Sequence, residues 1–582
     1  MCGIIGFANR HKSIKIQEII RLLKFLEYRG YDSSGIGFIN EEKHLETIRA
    51  TGPIQSLSSK IQKIQKETNF AIAHTRWATH GGISELNAHP HSLECVSVVH
   101  NGIVENYQDI KRQLIEEGAE FKTETDTEVI TQLIYSLLKQ DIAPLDIVKN
   151  LHKTLKGAYA LVILFSDGRL IATRNQSPLI FAGSDEEVWV ASDIMPLTDK
   201  PIAYLQNFEI LEYHEKLTLY DKDGIKIEPQ FSTISADMIK PTKGKYEHFM
   251  LKEIYEQPSV LKKLETYLKN TEIDIQKPNR ILIVGCGSSY HAGLLGKQFI
   301  ESIADIFVCV EIASEFQHSN MPLKDFDLCI FISQSGETFD ILASYEIIKK
   351  HNIKTIGIIN VLHSTLARCV DLIIPLCAGP EIGVASTKAF SAQVAILYYL
   401  ANLFHKKKDV PSFSSFLKAG LSCAHTVEQF SLNLIHFKNI FFIGRHLQFP
   451  LSLEAALKLK EISYLNAQAY AGGELKHGPL ALIDTDSLVV ALVPKGDIYA
   501  QTYSNVQETL ARGAHVLIIT DNEDVIVEHE NAHVLIVPHI PDENLMAFSF
   551  IPAIQLLAYY SALKLGCSID KPRNLAKSVT VA

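Results

Sequence analysis

Up to about residue 220 the chain alternates short apolar runs with amphipathic stretches. Gly3–Ala8, Phe70–His74, Val96–Val99, Tyr159–Phe165, Leu170–Arg174 and Val188–Ala191 have the length and composition of strands. Ile14–Leu26 and Thr127–Lys139 repeat their apolar positions at helical spacing. Strands and helices do not alternate strictly, so the expectation is a mixed α and β domain and not a dinucleotide-binding one. Glu228–Lys245 is polar and turn-rich, with Pro229, Pro241 and Gly244, and reads as a linker.

Beyond the linker the pattern changes. Ile281-Leu282-Ile283-Val284, Phe307–Ile312, Leu328–Ser333, Thr355–Asn360 and Leu372–Leu376 are continuous apolar runs with helical stretches between them. Such runs predict parallel strands buried on both faces. The outline then repeats in Ile440–Ile443, Leu488–Val493, Val516–Thr520 and Val534–Val537, after a separator at Lys406–Ser415. A duplicated, doubly wound α/β domain is the reading. The tail, Asp570–Ala582, is too polar at its start for a core helix. The expected boundaries are 2–227, a linker at 228–248, two α/β domains at 249–410 and 411–569, and the tail at 570–582.

Composition narrows the classes. The 582 residues are 47% hydrophobic and 21% charged, with a net charge of -10 and no long basic block. Nucleic-acid binding rests on clustered Lys and Arg, so no nucleic acid is expected. The nine cysteines are scattered and form no C-x-x-C pair, which indicates neither a zinc site nor a disulfide framework and suits a reducing cytosol. A cytoplasmic chain without metal or cofactor is the expectation. No apolar run reaches the ~18 residues of a membrane helix. The opening Met-Cys-Gly-Ile-Ile-Gly lacks the charged region and cleavage site of a secretory signal.

Polar clusters sit where strands end. Cys2 follows the initiator Met, and its removal would leave a thiol and a free α-amine on one residue, with the amine able to take the thiol proton. Alone, Cys2 reads rather as a buried strand thiol. It is joined, however, by His74-Thr75-Arg76-Trp77-Ala78-Thr79-His80-Gly81, by His100-Asn101-Gly102, and by Thr123–Glu128, which carries a helix-capping signature. With Tyr28–Ser33 and Asn87-Ala88-His89-Pro90, this region resembles the N-terminal-nucleophile glutamine amidotransferases. The resemblance implies a four-layer αββα fold. It implies that Cys2 attacks the side-chain amide of glutamine and that Asn101 and the Gly102 N–H form an oxyanion hole, each donor contributing about 3 kcal/mol. It places Arg76 on the substrate α-carboxylate, Asp126 on the α-ammonium and Trp77 on the ammonia path, with Thr79, His80 and His89 completing the glutamine site.

In the second half, Ser333-Gln334-Ser335-Gly336-Glu337-Thr338 lies between an apolar strand and a helix, and Gly285-Cys286-Gly287-Ser288-Ser289 is a similar turn. Hydroxyls and N–H groups at a helix start suit an anion, and ligands of open α/β sheets bind beyond strand C-termini. With Glu381–Lys388, Leu453–Glu461, Gly473–Pro479 and Lys571–Val579, these segments resemble a pair of sugar isomerase (SIS) domains. Joined to the first region, they narrow the resemblance to the glutamine-dependent fructose-6-phosphate aminotransferases. That family implies a sugar-phosphate site of Ser288, Ser289, Ser333, Gln334, Ser335, Thr338, Val384, Ser386 and Ala576. It implies a Schiff base on Lys577, requiring a neutral amine. Glu461 becomes the C1/C2 proton carrier, Lys458 the stabiliser of enolate-like charge, and His477 of a second subunit the aid to ring opening, in a homodimer. Asn466 and Gln468 depart from the His and Glu common in the family. A sugar-phosphate deglycase or isomerase would leave Cys2, Arg76 and Asn101 without a task. A sugar sensor with a dead amidotransferase domain predicts damage to Cys2, Glu461 or Lys577, which are intact.

Overall fold

The structure is a computed structural model and describes residues 2–62, 64, 66–233 and 242–580. Residues 234–241 of the expected linker therefore lie outside the described residues. The chain divides into two compact units, Met1–Ile239 with Ser578–Ala582, and Lys240–Lys577.

The first unit contains two seven-stranded sheets. One runs in the order Ala203–Tyr204, Ile180–Gly183, Glu187–Ala191, Gly3–Asn9, Phe70–Arg76, Ser33–Ile39, Leu45–Thr51. The other runs Lys226–Ile227, Leu217–Tyr220, Ile210–Tyr213, Leu170–Asn175, Tyr159–Phe165, Val96–Gly102, His91–Leu93. Side chains alternate across a strand, so each sheet can bury both faces. In the first strand Ile4 and Ala8 join Val99, Val162 and Leu211 in a core between the sheets. Ile5 and Phe7 face the opposite way and pack with Ile16 and Ile19. On the far face of the second sheet, Val98 and Ile163 pack against Ile110, Ile130 and Val148 from three helices. The result is the four-layer αββα sandwich that the resemblance implies.

Two local readings are corrected. Ile14–Leu26 is not one helix: Ile14–Lys15 is a short strand, Ile16–Leu23 is helical, and Lys24–Arg29 tightens to a 3-10 turn. The turn ends where Arg29 buries its guanidinium against Asp193, whose carboxylate also accepts from Tyr28 Oη at 2.6 Å. The separator at Lys406–Ser415 is cut short by the Phe413–Gly420 helix.

The second unit holds two parallel five-stranded sheets of identical topology. The first runs Phe307–Ile312, Arg280–Gly285, Leu328–Ser333, Lys354–Ile359, Leu372–Pro375; the second runs Ala467–Ala471, Asn439–Gly444, Ser487–Leu492, His515–Thr520, Ala532–Ile536. Both follow the doubly wound order 2-1-3-4-5. The repeat is thus structural, and it includes Ala467–Ala471, a strand the apolar pattern did not reveal. Ile281 and Ile283 share one core with Ile440 and Phe442 of the other copy, filled by the helices Lys388–Phe404 and Ala547–Lys564. Their neighbours Leu282 and Val284, and Phe441 and Ile443, line separate outer cores. Among the described residues, no helix is long and apolar enough to cross a membrane.

The helix Asp126–Lys139 begins as its sequence signature requires. Thr125 Oγ1 accepts from Glu128 N at 3.2 Å, and the Glu128 carboxylate accepts from Lys122 N and Thr123 N at 2.8 and 2.6 Å. Thr125→Ala is expected to destabilise this unit by roughly 1–2 kcal/mol. Both tryptophans, Trp77 and Trp189, lie in this unit. Urea unfolding followed by tryptophan fluorescence therefore reads the effect directly.

Candidate active sites

In the first unit, Cys2 lies at the head of the Gly3–Asn9 strand, paired to Phe70–Arg76 with Gly3 opposite Thr75. That register brings Cys2 beside Trp77: Cys2 Sγ accepts from Trp77 N at 3.3 Å. From the second sheet, Asn101 Nδ2 donates to Cys2 O at 2.9 Å. Gly102 closes the same strand at φ +137, where a Cβ would lie 2.0 Å from Ala158 O. Only glycine fits there. Burial pushes the Cys2 thiol above its ordinary pKa, and the Trp77 N–H and the Arg76 guanidinium pull it down without overcoming burial. The thiol needs a base to become a nucleophile.

Carboxylates and histidines shape the surroundings. Asp126 Oδ2 accepts from Val104 N at 3.0 Å and Oδ1 lies 3.8 Å from His100 Nδ1. Asp32 Oδ2 accepts from Ala78 N at 2.8 Å, holding the chain after Trp77. Arg76 donates to His80 O, to Gly81 O at 3.0 Å and to Gly82 O at 3.3 Å. The expected α-carboxylate clamp is thus engaged with the loop that follows it. Glu124 fixes that loop from outside, accepting from Gly82 N and Asn87 Nδ2 at 3.0 Å each. Thr79 is exposed and Trp77 half-buried. His80 stacks edge-on to Tyr107 at 5.2 Å.

Sequence reasoning missed His74. Its Nε2 lies 3.0 Å from His100 O and 3.1 Å from Asn101 Oδ1, so Nε2 carries the proton and both oxygens accept. This contact turns the Asn101 Nδ2 group toward Cys2. Histidine 89, expected at the glutamine site, is buried behind His74, its Nδ1 3.2 Å from His74 Nε2. The signal in the sequence was three histidines close together, His74 and His91 on strands and His89 in the turn just before the second.

In the second unit, the two serine-rich turns lie at the C-terminal ends of adjacent strands of one sheet. Ser333 Oγ accepts from Gly336 N at 2.9 Å, and Ser335 Oγ accepts from Glu337 N at 3.2 Å. Gly336 has φ +65, and a Cβ there would lie 2.0 Å from Ser364 Oγ. Gln334 and Thr338 stand half-buried on the same turn, before the eleven-residue helix Phe339–Lys349. The other turn points inward. Ser288 Oγ donates to Glu454 Oε1 at 2.9 Å, and Ser289 Oγ accepts from Gln393 Nε2 at 3.1 Å.

Glu454 ties the two copies together. Fully buried on the Gln448–Ser463 helix, it accepts from Ser288 and, through Oε2, from His291 Nδ1 at 2.8 Å. Lys458, one turn on, lies 3.6 Å from Glu454 Oε1 and 2.6 Å from Glu461 Oε2. Burial works against the Lys458 ammonium, but Glu461 and Glu454 outweigh it and raise its pKa. Lys458 is therefore a fixed positive charge beside Glu461.

Lys577 Nζ lies 2.5 Å from Glu381 Oε2, with both side chains buried. Glu381 Oε1 accepts from Thr387 N and Ala389 N, each at 3.0 Å, at the start of the Lys388–Phe404 helix. Burial raises the Glu381 carboxyl, and Lys577 with these N–H groups brings it below its ordinary value. Ser386 Oγ is 3.5 Å from the same carboxylate, and Val384 N donates to Asp570 O at 3.2 Å. Ala576 is half-buried beside Lys577. Arg573 stacks its guanidinium 4.2 Å from the Tyr464 ring centroid, just past the helix of Lys458 and Glu461. His477 is exposed at the end of the Gly472–His477 turn. At the two departures, the Asn466 backbone O accepts from Ile440 N at 3.2 Å, and Gln468 Oε1 accepts from Tyr470 Oη within the Ala467–Ala471 strand.

Residues 83–199 match the family model of a glutamine amidotransferase domain, and residues 274–403 and 433–565 each match that of a SIS domain. The glutamine–fructose-6-phosphate aminotransferase [isomerizing] of Bartonella henselae is 39% identical over 611 aligned positions, covering 100% of both chains. That of Methanosarcina acetivorans is 41% identical over 623, again covering 100% of both. The chain belongs to the glutamine–fructose-6-phosphate aminotransferase family. Among solved structures, the C-terminal domain of glucosamine-fructose-6-phosphate aminotransferase from Francisella tularensis aligns with a TM-score of 0.53 at 35% identity, over 57% of this chain and 100% of that one. The amidotransferase matches lie in the first unit and the SIS matches in the second, as the sequence motifs required.

The buried histidines set a pH limit on the amidotransferase unit. Burial lowers His74 to about 3 and His89 and His91 well below their ordinary value. These folded-state values lie under the unfolded one near 6.5, so the stability they confer is complete above that pH. It is lost below it, as the unfolded chain takes up protons the folded one refuses. Each histidine then costs about 1.4 kcal/mol per pH unit, so roughly 4 kcal/mol is expected to go between pH 6 and 5. The urea midpoint by tryptophan fluorescence is expected to fall steeply across that interval.

Proposed function

We propose that the chain converts D-fructose 6-phosphate and L-glutamine to D-glucosamine 6-phosphate and L-glutamate. The observation that carries this reading is the pairing, in one SIS unit, of Lys577–Glu381 and Lys458–Glu461 with two serine-rich turns at strand ends. A buried lysine–carboxylate pair at each of two points supplies both an imine-forming amine and a proton carrier.

In the amidotransferase unit, the Cys2 α-amine takes the thiol proton once Met1 is removed. The thiolate attacks the glutamine side-chain carbon, and Asn101 and the Gly102 N–H receive the oxyanion. Ammonia leaves, and water releases glutamate from the thioester. Arg76 and Asp126 hold the amino-acid end, with Trp77, Thr79 and His80 around it and His89 behind His74. The ammonia is consumed at the sugar.

In the SIS unit, the Ser333–Thr338 turn holds the phosphate, with Ser288, Ser289, Val384, Ser386 and Ala576 around the sugar. Lys577, once it has lost a proton, forms as a neutral amine an imine at C2 with loss of water. Ammonia displaces the lysine. Glu461 moves the proton between C1 and C2 while the Lys458 charge stabilises the enolate-like state. His477 assists ring opening in the site of a second copy, which makes a homodimer the working form. The functional boundaries follow at 2–227, 228–248, 249–410, 411–569 and 570–582, in a cytoplasmic setting.

Protein beginning at Cys2, given both substrates, is expected to form glucosamine 6-phosphate and glutamate in equal amounts. Absence of both overturns the reading. Cys2→Ala is expected to lower glutamine hydrolysis at least ~10³-fold while sugar-phosphate isomerisation persists. Retained hydrolysis would move the nucleophile elsewhere. Borohydride added with fructose 6-phosphate is expected to trap the sugar on Lys577, and a mass-mapped adduct on another lysine would reassign the imine.

A further inference from the structure

We propose that Glu253 is a positioning residue for the imine-forming lysine: it grips the turn after Glu381 and so aims Glu381 at Lys577. The inference rests on the sugar-site reading above. Glu253 sits in the first turns of the Phe249–Asn270 helix and is 2% exposed. Its Oε1 accepts from Ile382 N at 2.5 Å and from Gly383 N at 3.3 Å, the two residues directly after Glu381. On the other side, Glu381 is bound by the Thr387 and Ala389 N–H groups. The Glu381–Ala389 loop is therefore fastened at both ends by carboxyl groups, and Lys577 meets it between them.

The helix that bears Glu253 is itself fixed to the tail. Asp570 accepts from Phe249 N and Met250 N at 2.9 and 3.0 Å, and its own carbonyl receives Val384 N. Helix, loop and tail thus form one closed arrangement around the lysine.

Among the described residues, Glu253 does this without a counter-ion within ion-pair distance. Lys577 is paired with Glu381, and Lys388 Nζ lies 3.1 Å from Glu256 Oε2. Glu253 Oε2 is buried with no hydrogen-bond partner among the described residues. Two carboxyls in one dry pocket do not both ionise cheaply. Burial first, then the Glu381 charge, push Glu253 up to about 8, against the pull of Lys577, the Ile382 N–H and Lys388. Burial and the Glu381 charge thus favour its uncharged carboxylic acid, whose carbonyl-type oxygen takes the two N–H groups. A neutral grip adds no second negative charge beside Lys577. Glycine at 383 fits this close approach, since a Cβ there would lie 2.9 Å from Glu253 Oε2.

The test uses the full-length protein and borohydride trapping of fructose 6-phosphate. No adduct on Lys577 in the unaltered protein would sink the imine reading itself, apart from any role of Glu253. With that adduct in hand, Glu253→Ala is expected to trap at least about tenfold more slowly than Glu253→Gln, the cost of a misplaced reacting group. A smaller gap overturns the proposal. As pH rises through about 8, Glu253 ionises. The trapping rate of the unaltered protein is then expected to fall relative to Glu253→Gln, whose neutral side chain cannot ionise. A flat ratio overturns the neutral grip, and a purely structural role would not move it. Should Glu253→Ala fail to fold, Gly383→Ala carries the test, since its methyl presses on Oε2. Slower trapping supports the proposal, and an unchanged rate overturns it.

Discussion

The SIS unit is organised around the buried contact of Lys577 with Glu381. Removing one partner of such a pair leaves an uncompensated charge in the interior, at a cost of roughly 3–5 kcal/mol. The pair is therefore a constraint on the fold. It requires the tail to return over the Phe249–Asn270 helix, and it requires the 381–389 loop to present its carboxylate inward. The charge is tolerated because Glu381 is also bound by two backbone N–H groups at a helix start, where the dipole favours an anion.

The same solution recurs wherever a polar group must be held near a site. Asp32 holds Ala78, Asp126 holds Val104, Glu128 holds the chain before its own helix, and Asp570 caps another. A carboxylate accepting backbone N–H groups is rigid, because the donors belong to the scaffold. In the amidotransferase unit the equivalent task falls to His74, whose proton decides which way the Asn101 amide faces. In both units the candidate site residues are thus held by residues one step behind them.

Much of the architecture was legible from apolar patterning. Alternation in Gly3–Asn9 sends Ile4 to one core and Ile5 to another, and continuous runs mark the doubly buried parallel strands. Weak patterns failed for identifiable reasons. Ser33–Ile39 is rich in Ser and Gly, yet it is a central strand. Gly35 is required there because a Cβ would lie 2.2 Å from His89 O, an approach invisible in one dimension. Ala467–Ala471 is a short edge strand, half exposed and without an apolar run.

The chain by itself determined the chemical inventory: Cys2 at the head of a strand, Asn101-Gly102 at the end of another, the serine turns, and Lys458 and Glu461 on one helix face. These are local properties, set by periodicity, turn residues and spacing along a few adjacent positions. Tertiary structure decided the pairings. Glu381 meets Lys577 across 196 positions and Glu454 meets His291 across 163, and Glu253 reaches Ile382 across 129. No local pattern encodes such contacts, because a glutamate on an amphipathic helix reads as solvated until the facing element is known. Burial, which turns these carboxyls from surface charges into fixed partners, is a property of the packed chain alone.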